Sequence, residues 1–139
     1  MVSYRHRVQY YETDKMGITH HSNYIRWMEE GRTNYLETMG CPYEKFEQMG
    51  LISPVLSIRC DYKQSTTYGD DVDISVGVKE YNGFRIKFEY TVTNVQSGQV
   101  VFTAESDHCF LSREGGIVRF KRAYPELHEK ILSWVENRD

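Results

Sequence analysis

Asp14 is a carboxylate in a turn, seven positions ahead of His21 and just before a long helical pattern. The surrounding stretch, Tyr10 to Met39, reads YYETDKMGITHHSNYIRWMEEGRTNYLETM. Gly17 sets how tight the turn can be, and Ser22 stands where a helix cap is expected. Amides at a helix start lack intrahelical partners, carry partial positive charge and favour anions. A carboxylate beside such donors is one route to acyl transfer. The amides bind the developing oxyanion while the carboxylate attacks or activates water. A turn aspartate can equally do no more than cap its own turn, which is the commoner role of short polar residues.

The other reactive side chains point to less. His20 and His21 are adjacent, so their side chains are expected to diverge, and no further His or Cys lies at metal-ligand spacing. No metal site is expected. His21 could carry a proton, but its side chain is expected to orient Asp14 or the turn instead. Glu12 reads as structural. His108 and Cys109 are strand neighbours that face opposite sides, so they form no dyad, and His108 reads as a core histidine. Tyr24 and Trp27 can line an acyl pocket or simply belong to the packing stripe of the helix.

These residues need elements to hold them. From Tyr24 the large apolar residues fall at Trp27, Met28, Tyr35, Leu36 and Met39, a helical spacing. Arg26, Glu29, Glu30, Thr33, Asn34 and Glu37 fall on the opposite face, with Glu29 one turn before Arg32. A helix from Ser22 to Met39, closed by Gly40, would span about 27 Å and must run through the middle of the fold. Ahead of it, Ser3 to Tyr11 alternates as a first strand with Tyr4, His6, Val8 and Tyr10 on one side. Pro42 to Met49 reads as a short helix or loop. Alternation recurs at Leu56–Tyr62, Val72–Val78 and Phe84–Val92, and again within Gln99–Leu111. Asn82-Gly83 marks a hairpin and Ser97-Gly98 a further turn. Pro125 opens a last helix with Leu127, Ile131, Trp134 and Val135 on one face. The expected fold is α+β: five antiparallel strands wrapped around one long helix, with a C-terminal helix added.

Composition sets the outer bounds. A chain of 139 residues suits one domain over 1–139, and a formal charge of -3 with no basic run argues against nucleic-acid binding. No membrane span or leader is expected. The three cysteines, Cys41, Cys60 and Cys109, are widely spaced and read as reduced thiols of a cytoplasmic protein.

The run Tyr11-Glu12-Thr13-Asp14-x-x-Gly17-x-x-x-His21-x-Asn23-Tyr24, followed by Glu29-Glu30-x-Arg32, resembles the signature of hot-dog-fold thioesterases. It is most similar to the hydroxybenzoyl-coenzyme A thioesterase family and its YbgC-like acyl-CoA thioesterases. The resemblance implies a thioester hydrolase, assembled as a homodimer or homotetramer, with coenzyme A as part of the substrate and no separate cofactor. It implies Asp14 as nucleophile or general base and the His21 amide aimed at the substrate carbonyl. It places Gly17, Asn23 and Tyr24 along the substrate and Lys79, Arg85 and Lys87 near the coenzyme phosphates. Thr19 departs from the family's usual apolar residue, which bears on pocket polarity. An acyl-carrier-protein thioesterase, a dehydratase and a non-catalytic acyl-binding protein stand as alternatives.

Overall fold

The structure, a computed structural model, describes residues 1–136. In chain order, β1 (Val2–Arg7) leads through a 3-10 turn at Tyr10–Glu12 to α1 (Ser22–Thr38). Next come α2 (Tyr43–Gln48), β2 (Leu51–Ile52), β3 (Val55–Tyr62), β4 (Asp71–Tyr81), β5 (Arg85–Asn94), β6 (Val100–Cys109) and β7 (Leu111–Ser112). Two helices, α3 (Phe120–Ala123) and α4 (Pro125–Glu136), finish the described chain.

Five strands form one antiparallel sheet in the order β1-β4-β5-β6-β3, and β2 pairs with β7 in a small separate ladder. Alternation decides the sheet's two faces. Val72, Ile74, Val76 and Val78 of β4 are buried, as are Ile86, Phe88, Tyr90 and Val92 of β5 and Phe102 and Ala104 of β6. Their neighbours Arg5 and Asp73, and Arg7 and Asp71, pair across the outer face. The helix α1 crosses β1 and β4 and buries Tyr24, Trp27, Met28, Tyr35 and Leu36. Gly31 allows the approach, because a Cβ there would lie 2.6 Å from Ile74 Cγ2 and 2.9 Å from Val76 Cγ2. The helix ends as expected at left-handed Gly40: the Cys41 amide bonds Leu36 O and the Gly40 amide bonds Glu37 O.

The five-stranded sheet and long helix stand as the sequence pattern predicts. Several details differ. Strand β1 stops at Arg7, and Tyr10 lies exposed in the 3-10 turn because the chain must bend there towards α1. Ser22 is the first helical residue rather than the cap: its Oγ pairs with His20 Nδ1 at 2.8 Å, and His21 holds the cap position. Glu29 makes no ion pair with Arg32, which is buried against Tyr43 and Tyr90 instead. The β4–β5 loop has three residues, and only Gly83 takes positive φ, while Asn82 Oδ1 accepts from the Phe84 and Arg85 amides. Strand β3 lies at the sheet edge, and α1 covers little of its apolar side. Leu56 is 48% exposed, Ile58 39% and Tyr62 50%, while Cys60 reaches Met28.

Candidate active site

The foundation of the site is Glu12. Its side chain is buried, with Oε1 accepting from the Gln9 amide and His6 Nε2 at 2.8 Å each. Oε2 accepts from Trp27 Nε1 at 2.6 Å, which ties the turn to α1. Burial alone pushes this carboxyl up, but the Gln9 amide, His6 and Trp27 together outweigh it and hold it below the usual range. His6 continues the network, with Nδ1 3.2 Å from Glu30 Oε2. The main chain of Glu12 does a second job. Its carbonyl accepts from the His20 amide at 2.9 Å and from Asn23 Nδ2 at 2.9 Å. Both strands of the loop that carries Asp14 are thereby seated on the helix start.

That loop is a small antiparallel turn. Thr13 bridges Thr19, the Asp14 amide donates to Ile18 O at 2.9 Å, and the Gly17 amide donates to Asp14 O at 3.0 Å. Gly17 takes φ +79°, a conformation that penalises any side chain. Asp14 Oδ1 accepts from the Met16 amide at 2.8 Å, the local turn bond expected of aspartate. Asp14 Oδ2 has no hydrogen-bond partner among the described residues. The segment after β3 straps the turn from the side. Thr66 O accepts the Thr19 amide, the Thr19 and Thr66 hydroxyls lie 2.6 Å apart, and Thr67 Oγ1 donates to Gly17 O. Thr19 is therefore committed to this strap and not to a pocket wall. Thr66 and Thr67 carry no periodic or motif signal in the sequence, and only the tertiary contact exposes their role.

His21 stands exposed at the helix cap, and its amide makes no hydrogen bond among the described residues. Its ring does not orient Asp14. It stacks on His20, with centroids 4.4 Å apart and planes at 30°, and meets Tyr62 edge-on. The two histidines thus lie face to face instead of diverging. Asn23 is buried and spends its amide on Glu12 O and His20 O. Tyr24 is 5% exposed, packed among Trp27, Tyr62 and Phe102, with its phenol near Thr66. In one chain, Asn23 and Tyr24 support the helix start from beneath.

Lys79, Arg85 and Lys87 are not brought to Asp14 within the chain. They flank the β4–β5 hairpin, at the end of the sheet where β5 Arg85 pairs with β6 Cys109. The start of α1 lies at the other end, where Tyr24 packs on Phe102, about 23 Å away along β6. Lys79 pairs with Glu105, and Lys87 lies 3.8 Å from Glu105 and 3.9 Å from Glu80. The hydrogen bond and charge of Lys79 hold the Glu105 carboxyl below its usual range. Arg85 makes no ion pair among the described residues.

Sequence and structure comparisons place the chain in a family. The model of the thioesterase-like superfamily matches residues 8–135. The chain is a member of the thioesterase-like superfamily. It is 36% identical over 122 residues to a Bacillus subtilis protein provisionally named acyl-CoA thioesterase YneP, covering 87% of this chain and 88% of that one. Among solved structures, a hypothetical protein from Aquifex aeolicus superposes with TM-score 0.85 at 37% identity, covering 94% of this chain and 99% of that chain. The DHNA-CoA thioesterase of Staphylococcus aureus superposes with TM-score 0.88 at 30% identity, over 94% and 88%. The fold of this superfamily member is the hot-dog fold. No helix among the described residues is long and apolar enough to cross a membrane.

Proposed function

We propose that this protein is an acyl-CoA thioesterase, hydrolysing the thioester to a carboxylic acid and free coenzyme A. The observation that carries the reading is the presence, in the turn before α1 and at its cap, of a carboxylate oxygen, Asp14 Oδ2, and an amide, that of His21, neither of which has a hydrogen-bond partner among the described residues. The His21 amide would receive the carbonyl oxygen as negative charge develops on it. Asp14 would attack the carbonyl carbon or take a proton from the attacking water. If Asp14 attacks, the C–S bond breaks to leave a mixed anhydride that water then hydrolyses, freeing Asp14. If it acts as a base, water adds directly and the C–S bond breaks. In both cases the thiol leaves with a proton and the acid is released. No separate cofactor is needed for those steps. Membership of the thioesterase-like superfamily, with relatives bearing acyl-CoA thioesterase names, supports the substrate class.

The same reading includes assembly. The exposed apolar side of β3 lies on an open sheet edge, the feature that a second copy would cover. Antiparallel pairing of β3 with its copy would bring a partner's β4–β5 hairpin to the end of the sheet where α1 begins. Lys79, Arg85 and Lys87 would then serve the coenzyme phosphates of the neighbouring site, with Arg85 the least committed of the three. The three free thiols suit a reducing cytoplasm.

The test is free thiol released from a panel of aliphatic and aromatic acyl-CoAs, run beside the same acyl groups on acyl-carrier protein. Turnover of at least one acyl-CoA faster than of any carrier-protein substrate is expected. Faster turnover on the carrier protein would move the substrate class, and no thiol release from either would remove the activity.

A further inference from the structure

Arg32 lies in the second half of α1 and is only 8% exposed. Its Nε donates to Tyr43 OH and its Nη1 to Tyr90 OH, each at 2.9 Å. Both acceptors are phenols and not carboxylates, and burial pushes the Tyr90 phenol up, so it stays protonated. No carboxylate lies within ion-pair distance of the guanidinium among the described residues. A buried cation without a counter-charge is strongly unfavourable.

Hydrogen-bond accounting fixes the direction of the chain that follows. Arginine only donates, so the Tyr90 proton must go onward to Ser106 Oγ, 2.6 Å away. The Ser106 proton then goes to His108 Nε2 at 2.8 Å. The reverse order would leave the Tyr90 proton without an acceptor. His108 is buried and neutral, its pKa pushed down to about 4 by burial and then by the Arg32 charge. With Nε2 accepting, the ring proton sits on Nδ1. The N–H groups left over are the second of Arg32 Nη1, both of Arg32 Nη2, and that of His108 Nδ1.

No fully occluded side-chain nitrogen or oxygen among the described residues lacks a partner, so Arg32 Nη2 and His108 Nδ1 both meet open space. Arg32 and His108 line the same small cavity of about 10 Å³, with Tyr43 and Ser53 beside them and Phe88 and Phe110 in the walls. The centre of a water-sized sphere can move through that volume, so it admits one monatomic occupant and excludes a carboxylate or phosphate. The cavity presents one uncompensated positive charge and a set of donors. A water there would accept from them, but it would leave the charge unbalanced.

We propose that this cavity binds a single halide ion, chloride in ordinary buffers, held by Arg32 Nη2 and His108 Nδ1. The site is separate from the Asp14 turn and does not depend on the proposed hydrolytic activity.

Two measurements test it. Thermal unfolding is followed at fixed pH and ionic strength while sodium chloride or bromide replaces sodium gluconate, whose anion is too large for the cavity. At halide concentrations about a hundredfold above Kd the melting temperature should rise by roughly 5–10 °C. Arg32→Met removes the charge while keeping an unbranched apolar side chain, and should abolish the rise. In crystals grown with sodium bromide, an anomalous peak should lie in the cavity, in contact with Arg32. Equal melting in chloride and gluconate would overturn the proposal, as would a rise that persists in Arg32→Met. If that variant does not fold, the bromide crystal decides: a cavity holding water or nothing under saturating bromide overturns the site.

Discussion

Glu12 and Asp14 are two carboxylates one residue apart in the same turn, and their surroundings are opposite. Glu12 is 4% exposed, and three donors occupy its oxygens. Asp14 is half-buried and engages only the Met16 amide through Oδ1. A carboxylate with donors on both oxygens neither attacks a carbonyl nor takes a proton at low cost, whereas one with an uncommitted oxygen can do either. In sequence the two look interchangeable. In the structure Glu12 builds the platform and Asp14 is what the platform presents.

The effects on stability are largest at Glu12. Glu12→Ala leaves Trp27 Nε1, the Gln9 amide and His6 without their acceptor. Urea unfolding should show a loss of about 3–5 kcal/mol. A loss under about 1 kcal/mol would make Glu12 no more structural than a surface carboxylate. Acid gives the same test without a mutation. The Glu12 carboxyl sits below its ordinary 4.5 in the folded state, so its contribution is complete above that pH and is lost as pH falls through the lower folded value. Wild type should therefore lose stability below about pH 4.5 more steeply than Glu12→Gln does. Identical acid limbs would contradict the network. Trp27→Phe removes one of the three donors, and calorimetry should find about 1–3 kcal/mol less stability. The smallest effect belongs to Asp14. Asp14→Asn keeps an oxygen for the Met16 amide, so unfolding should shift by no more than about 0.5 kcal/mol. A larger shift would favour the capping role.

The strands and α1 were legible because alternation and helical spacing carry over long segments, as at Val72–Val78 and Tyr24–Leu36. The turn was legible by residue type, with Gly17 and Asp14 taking the conformations their side chains favour. What escaped was whatever depends on distant segments. The Thr66 and Thr67 strap meets the turn across 47 and 50 residues of chain, with no pattern of its own. Gly31 is a poor helix former in the middle of α1, and only the closeness of Ile74 and Val76 explains it. The exposure of the apolar side of β3 follows from its place at the sheet edge, which alternation alone cannot assign. The carboxylate partners of Lys79 and Lys87 come from β4 and β6, as Glu80 and Glu105, which neither residue's own sequence neighbourhood reveals in full.

On the proposed function, Asp14 acts on the thioester while the rest of the turn only holds it. The direct measurement is kcat for acyl-CoA hydrolysis by Asp14→Asn, on protein whose melting temperature is determined in the same preparation. A fall in kcat of about 10²–10⁴-fold is expected, with the melting temperature essentially unchanged. Near-wild-type kcat together with a lowered melting temperature would contradict it, leaving Asp14 as a turn cap.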